Sequence, residues 1–460
     1  MKFLGFELDI KNVPVLDESF IPLAKFNEAF LNTAQKPFAV AVERNNGFTA
    51  LYETFIHGTE TMFEADCFYV ERLLKFLLWA KGGYKVYICG DERIADFIHK
   101  EYSSDGKRAF DFNFMSKVYE NQFEVKSVSY ENRPKENEKS KPLGRHLEGC
   151  RIGFDAGGSD RKVSAVVDGE TIYSEEVVWF PKTNSDPDYH YNGILEAFKT
   201  AASKMPRVDA IGISSAGIYV DNRTMAASLF LQVPDELFEA KVKDIYIRAG
   251  REIGPEIPLE VANDGDVTAL AGSMDLNDTQ VLGIAMGTSE AGGYVDKQGN
   301  ITGWLNELAF TPVDGQLNAA LDEWSGDIGC GVKYFSQDSV IKLAPAAGIA
   351  LSENLSPADK LKEIQKLLDA NLPAVTKIYE TIGAYLGHTL CLYDKFYDIK
   401  HVLLLGRVMS GEGGNIIFNT AKHVMESEYP LINAKINLHL PDEKSRRVGQ
   451  SVAAASLPEI

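Results

Sequence analysis

Cysteine is scarce and scattered. The 460 residues include five, Cys67, Cys89, Cys150, Cys330 and Cys391. None forms a C-x-x-C pair and the count is odd, which argues against a disulfide scaffold and for reduced thiols in a cytoplasmic protein. Basic residues are outnumbered, 47 Lys and Arg against 66 Asp and Glu, for a formal net charge of −19. That balance argues against non-specific DNA or RNA binding, which calls for a basic patch. No run of 18 apolar residues occurs, and Met1-Lys2 leads quickly into Glu7 and Asp9. Neither a membrane span nor a signal peptide is therefore expected. What is present is 45% hydrophobic residues, enough for two or three domains that each bury a core.

The organising stretch is Arg151 to Asp168, RIGFDAGGSDRKVSAVVD. It reads as two short strands joined by a glycine turn. Small residues at the tip let backbone N–H groups approach a phosphate with no Cβ in the way. Asp155, at the end of the first strand, is placed to hold a magnesium ion through water beside that phosphate. An ordinary hairpin with a Gly-Gly turn and a surface Asp gives the same pattern.

Before this stretch, residues 1–35 carry no strong pattern. Phe38–Glu43 and Thr49–Ile56 read as a hairpin about Asn45-Asn46-Gly47, Phe68–Ala80 as a helix, Lys85–Cys89 as a strand and Ile94–Tyr102 as a helix. This gives an N-terminal α/β domain over 1–130 with no catalytic motif and no helix-turn-helix. Asn132–His146, polar with two prolines, marks a linker over 131–149. Beyond it strands and helices alternate. Val208–Ser214 is a buried strand ending in Ser215-Ala216-Gly217, and Leu259–Ala262 is a strand running into Asn263-Asp264-Gly265-Asp266 before a helix. Gln280–Met286 is a strand ending in Gly287-Thr288-Ser289-Glu290-Ala291-Gly292-Gly293, and His401–Leu405 leads into Gly406-Arg407. Pro234–Arg251 and much of 333–396 read as helical, with a helix start at Ser356-Pro357.

The strand–glycine-turn–strand units at 155–168 and 283–295, with the third glycine turn at 406–411, fit a grip on a polyphosphate. In this order they resemble the ROK family (repressors, open reading frames and sugar kinases) of the actin-like, hexokinase-like ATPases. The resemblance runs from about residue 150 to the end. GFDAGGSDRKVSAVVD is similar to the first phosphate loop, AIGISSAG to the following strand and turn, VANDGDVTALAG to the Asn-Asp segment, and GIAMGTSEAGG to the second phosphate loop. ELAFTPVD matches the Glu-x-Gly-His segment in part, and SGDIGCGVKYFS the tail of the zinc-binding segment in part.

The resemblance implies an α/β, two-lobed actin-like (ribonuclease H-like) fold, with lobes over 150–275 and 276–460 and a C-terminal helix returning to the first lobe. It implies ATP and Mg²⁺ as cofactors. The nucleotide would be bound by Asp155, Gly157, Gly158, Ser159, Gly287, Thr288, Ser289, Gly292, Gly406 and Arg407. A sugar or sugar-like alcohol would be held by Asn263, Asp264 and Glu307, and a homodimer is implied. Asp264 would act as the base that takes a proton from the attacking hydroxyl. Either Asn263 or Asp264 would equally suit a helix N-cap, and Asp266 a first-turn acid that complements the helix dipole.

The departures from the family pattern are specific. Phe310 stands where the family has His, Val332 where it has a sugar-binding Glu, Glu323 and Ser325 where it has two cysteines, and Arg407 where it has Gly. One thiolate, Cys330, cannot make a four-ligand site, so no structural zinc is expected. The function implied is an ATP-dependent carbohydrate kinase, a phosphotransferase with an alcohol acceptor. A non-catalytic ROK-like ligand sensor is the alternative. A ROK repressor fits least, for want of a helix-turn-helix.

Overall fold

A computed structural model describes residues 1–138, 142–370, 372–441 and 443–460. Residues 139–141, in the middle of the expected linker, lie outside the described residues. The chain divides into two compact units. The first comprises Met1–Lys139, Ile284–Gly292 and Trp304–Leu440, the second Ser140–Gly283, Gly293–Gly303 and Pro441–Ile460.

The second unit is built on a five-stranded sheet. Its order is Leu259–Asn263, Ala210–Ser215, Cys150–Ala156, Asp160–Val167, Glu170–Val178. The first three strands are parallel and the last two pair antiparallel. Ile152, Phe154, Ile211, Ile213 and Val261 meet Ile194 and Phe198 of the helix Pro187–Ala202 and Tyr246 of the helix Ile245–Ile253 in one core. Near-continuous apolar runs of this kind suit strands covered on both faces.

The opposite face carries the C-terminal helix Glu443–Ala455. Its approach depends on two glycines. A Cβ on Gly153 would collide with the Ser451 carbonyl, and one on Gly212 with the Ala454 carbonyl. Arg151, fully buried, donates to the Pro458 carbonyl at 2.7 Å and the Ala455 carbonyl at 3.3 Å. It thereby satisfies carbonyls that the end of the last helix leaves free.

The first unit holds two four-stranded sheets. One runs Thr49–Ile56, Lys36–Glu43, Lys85–Cys89, Glu124–Val128, and the helix Phe63–Lys81 packs against it. The other runs Glu290–Val295, Val281–Met286, His401–Leu405, Asn437–His439. The chain crosses between the units within the first two of these strands. Residues 132–138, polar as they are, run beside the hairpin: Thr49 and Asn137 exchange two backbone hydrogen bonds of 3.0 Å.

Several elements differ from the sequence expectation. A helix, Leu23–Leu31, lies in the stretch without pattern, with Leu23, Phe26 and Phe30 buried. Its N-cap is Pro22, whose side chain makes no capping bond, so the usual start signal is missing. The helix Ala109–Tyr119 was likewise hidden behind Arg108, which makes no side-chain cap. The expected helix over Pro234–Arg251 is broken into Asp235–Leu237, a π turn Phe238–Val242, and Ile245–Ile253. The turn after Met286 is shorter than expected, because the return strand begins at Glu290.

Candidate active site

The parallel strands of the second unit deliver its candidate residues together. Ser214 pairs in register with Asp155 and Ser215 with Asn263, so Asp155, Asn263 and Asp264 all sit at the carboxyl ends of two parallel strands that flank Ala210–Ser215. In open α/β sheets this is the end where ligands bind. Two strand spacings separate Asp155 from Asn263, about 10 Å.

Asn263 caps the following helix. Its Oδ1 accepts the Gly265 N–H at 2.7 Å, and its Nδ2 donates to the Gly217 carbonyl at 2.7 Å. Asp264 is the first residue of the helix Asp264–Leu276, and its own carboxylate accepts the Gly265 N–H only as a second, 3.0 Å partner. Burial raises the Asp264 pKa, while the Gly265 and Asp264 N–H groups and the charge of Lys182 draw it back. Asp155 accepts a 3.0 Å hydrogen bond from Ser214 Oγ. Burial pushes its carboxyl up to about 6, with the charge of Asp264 adding to the effect. Two carboxylates lifted by the same surroundings are characteristic of proton-handling or cation-binding sites. Asp266 lies in the first helical turn, as expected, but it is buried and accepts the Tyr294 N–H at 3.0 Å.

A hydroxyl chain that the sequence did not suggest lies behind Asp264. Tyr219 OH donates to Ser215 Oγ at 2.6 Å, and Ser215 Oγ shares a 2.8 Å hydrogen bond with Tyr246 OH. The Tyr219 pKa stands far above its ordinary value, chiefly through burial and then through Tyr246, with Asp264 contributing. These hydroxyls therefore stay protonated.

The first glycine turn, Gly157-Gly158-Ser159, is open to solvent at Gly158 and Ser159. Trp179 braces it from the end of the neighbouring strand: its indole N–H donates to the Gly157 carbonyl at 2.8 Å and its backbone N–H to the Ser159 carbonyl at 3.1 Å.

In the first unit, Gly287-Thr288-Ser289 forms a tight turn closed by Gly287 N–H to the Ser289 carbonyl at 3.0 Å. Thr288 and Ser289 are exposed. Gly292 lies inside the return strand, where a Cβ would come within 2.5 Å of the Asn306 carbonyl. Gly406 has φ 97° and a Cβ there would meet the Met286 backbone, so no other residue fits. Arg407 turns its guanidinium to Thr288, with Nη2 donating to Oγ1 at 3.3 Å. Arg407 thus stands at the second glycine turn.

Glu307, half-buried, precedes the short turn Leu308–Phe310 and donates its N–H to the Trp79 carbonyl at 3.0 Å. Phe310 lies in an aromatic nest, 4.3 Å from the Trp79 ring centroid, 5.2 Å from Trp324 and 6.1 Å from Phe110. The turn expected to lack zinc ligands is closed by side chains. Asp322 accepts the Ser325 N–H at 2.9 Å, and Glu323 pairs with Lys333 at 2.6 Å. Asp327 is ringed by Arg72, Lys75 and Arg108, and those cations hold its carboxyl well below the usual range. Cys330 is fully buried, and burial raises its thiol pKa. Among the described residues no group of three or more His, Cys, Asp or Glu is placed to hold a metal. Among them, too, no helix is long and apolar enough to cross a membrane.

No protein-family model matches the chain, and no curated protein matches it in sequence. Solved structures do. A ROK hexokinase from Thermus thermophilus superposes with a TM-score of 0.51 at 18% identity, covering 66% of this chain and 97% of its own. A ROK family glucokinase from Streptomyces griseus in complex with glucose and AMPPNP gives 0.46 at 18% identity, covering 66% and 99%. A ROK family transcriptional regulator, a homologue of the E. coli MLC protein, gives 0.48 at 16% identity, covering 67% and 79%. The hexokinase likeness shows the fold: across 66% of the chain it is the two-lobed hexokinase fold that the motifs imply.

Proposed function

We propose that the protein belongs to the ROK family and is an ATP-dependent kinase acting on a hydroxyl of a sugar or sugar-like alcohol. The observation that carries this reading is the division of labour at the helix start. Asn263 takes the cap, which leaves the Asp264 carboxylate at the strand end for a substrate proton. In the reaction the substrate O–H gives its proton to Asp264 as its oxygen forms a bond to the γ-phosphorus of ATP. The bond from that phosphorus to the β–γ bridging oxygen breaks, and ADP leaves with the electron pair. Burial raises the Asp264 pKa and so makes the carboxylate a better base than one in water.

The nucleotide phosphates would be met by the N–H groups of Gly157, Gly158 and Ser159 in the second unit. In the first unit, the turn Gly287-Thr288-Ser289 with Arg407 beside it is likewise suited to phosphate. Asp155 suits Mg²⁺, since a half-buried carboxylate pushed up to about 6 gains from a cation that neutralises it. One or two carboxylates plus water are the usual protein share of a magnesium site. When bound, the ion would neutralise phosphate charge. Asn263 and Asp264 would orient the acceptor.

One observation favours a second reading, a ligand sensor without catalysis. Phe310 is packed among Trp79, Phe110 and Trp324, which leaves an apolar group at a position where the resemblance calls for a polar sugar contact. The experiment that separates the two is an ADP-release screen over sugars and amino sugars with Mg-ATP. A kinase gives substrate-dependent ADP. A sensor gives ligand-induced thermal stabilisation with no ADP.

A further inference from the structure

Lys182 lies in the turn Pro181–Thr183, just past the strand Glu170–Val178. The turn is anchored on both sides. Trp179, three residues earlier, holds the glycine turn through the Gly157 and Ser159 carbonyls. Pro181 is buried, and its carbonyl lies 3.0 Å from Nε2 of the buried His190. From this footing the lysine stem runs directly over Gly158. A Cβ at Gly158 would come within 2.7 Å of Lys182 Cε and 3.0 Å of its Nζ. The same ammonium stabilises the carboxylate of Asp264. It makes no ion pair with any described residue.

The surroundings make a cation necessary for an anionic ligand. Asp155 and Asp160 flank the turn in the chain, and the charge of Asp264 is felt at Asp155. The backbone donors of a glycine turn bind phosphate by their dipoles, but three carboxylates oppose a polyanion at that range. On the hairpin itself, Arg161 pairs with Glu196 at 2.6 Å and Lys162 lies 4.0 Å from Glu176. Lys182 is unspent, and its ammonium lies over the turn.

We propose that Lys182 is a phosphate-contacting cation of the Gly157–Ser159 turn, binding the terminal phosphate of the nucleotide as it passes toward Asp264. The inference rests on the kinase reading of the same site. A compact ammonium with three donors acts as a point charge on phosphate oxygens. Its charge is felt at Asp264, so on the kinase reading it meets the phosphate that is transferred. It therefore distinguishes ATP from ADP and acts on the rate as well as on binding.

The test uses the full chain and compares Lys182→Gln and Lys182→Arg with the wild type in calorimetric titrations of Mg-ATP and Mg-ADP, then in turnover. Lys182 is an exposed turn residue, so melting without nucleotide should be unchanged and serves as the control. Lys182→Gln is expected to lose about tenfold in ATP affinity with ADP affinity little changed, and kcat should fall with it. Lys182→Arg should recover most of both. Equal ATP affinity and equal kcat in wild type and Lys182→Gln would overturn the assignment while leaving the kinase reading intact. A wild type that binds neither nucleotide at millimolar concentration would overturn both.

Discussion

Asn263 and Asp264, neighbours in the chain, have separate tasks. The Asn263 side chain is spent on structure, with one hydrogen bond to Gly265 and one to Gly217, each 2.7 Å. The Asp264 carboxylate shares the same Gly265 N–H at 3.0 Å and is raised in pKa by burial. From the sequence pair alone either residue could be the cap, and the geometry gives the cap to Asn263.

The two substitutions should therefore diverge in stability. Asn263→Ala removes a cap worth about 0.5–2 kcal/mol and also strands the Gly217 carbonyl. Asp264→Asn removes a buried charge and keeps the shape, so it should melt at or above the wild-type temperature. Thermal denaturation of the two variants, without ligand, checks this.

Glu290 should make stability depend on pH. It is buried, its Oε1 accepts from Tyr393 OH at 3.3 Å, and its Oε2 has no hydrogen-bond partner among the described residues. Burial pushes the carboxyl up to about 8 from its ordinary 4.5. Between those pH values the folded chain keeps a proton that the unfolded chain has released, so stability falls as pH rises through that window and levels off above it. Glu290→Gln should flatten the melting temperature between pH 5 and pH 8, roughly, and leave the acid limb unchanged.

Asp327 is the anion on which three buried cations depend. Arg72, Lys75 and Arg108 all reach it, and Glu71 and Asp111 satisfy the remainder of the group. Asp327→Ala leaves the buried charge unbalanced, a change that typically costs about 3–5 kcal/mol. Urea denaturation should show a loss of that size, larger than the loss from removing the exposed pair Lys333–Glu323, worth about 0–1 kcal/mol.

Arg407 should serve the nucleotide. It is exposed, with its guanidinium on Thr288 and its carbonyl held by Gln365 Nε2 at 2.9 Å. Arg407→Ala is expected to raise KM for ATP about tenfold, the size of one charge-assisted hydrogen bond, with KM for the acceptor unchanged. Initial-rate kinetics with each substrate varied in turn measures it.

Where the fold was legible in the sequence, local chemistry made it so. Ser356-Pro357 announces a helix start, and Ser356 indeed accepts the Asp359 N–H at 3.2 Å before Pro357–Asp369. The strand Thr49–Ile56 follows its Asn-Asn-Gly turn as expected. The strand ends carrying Asp155, Asn263 and Asp264 were readable because apolar runs stop at small polar residues. Helices without a capping side chain, Leu23–Leu31 and Ala109–Tyr119, were not. Long-range neighbours left no local trace either. Nothing near Phe310 announces Trp79 from the far N-terminal helix. Lys182 is a single lysine in a turn, placed by the bracing of Trp179 rather than by any motif. Glu290 reads as part of the glycine turn after Met286 and proves to be a buried strand residue.

The central claim is that Asp264 takes the proton of the acceptor hydroxyl. The direct measurement is phosphoryl transfer by Asp264→Asn on a substrate found by the ADP-release screen, with nucleotide affinity measured in parallel. Loss of a general base costs about 10²–10⁴ in rate. The expected result is a kcat lower by that factor with Mg-ATP affinity close to that of the wild type. A variant that keeps most of the wild-type kcat would contradict the account and place the base elsewhere.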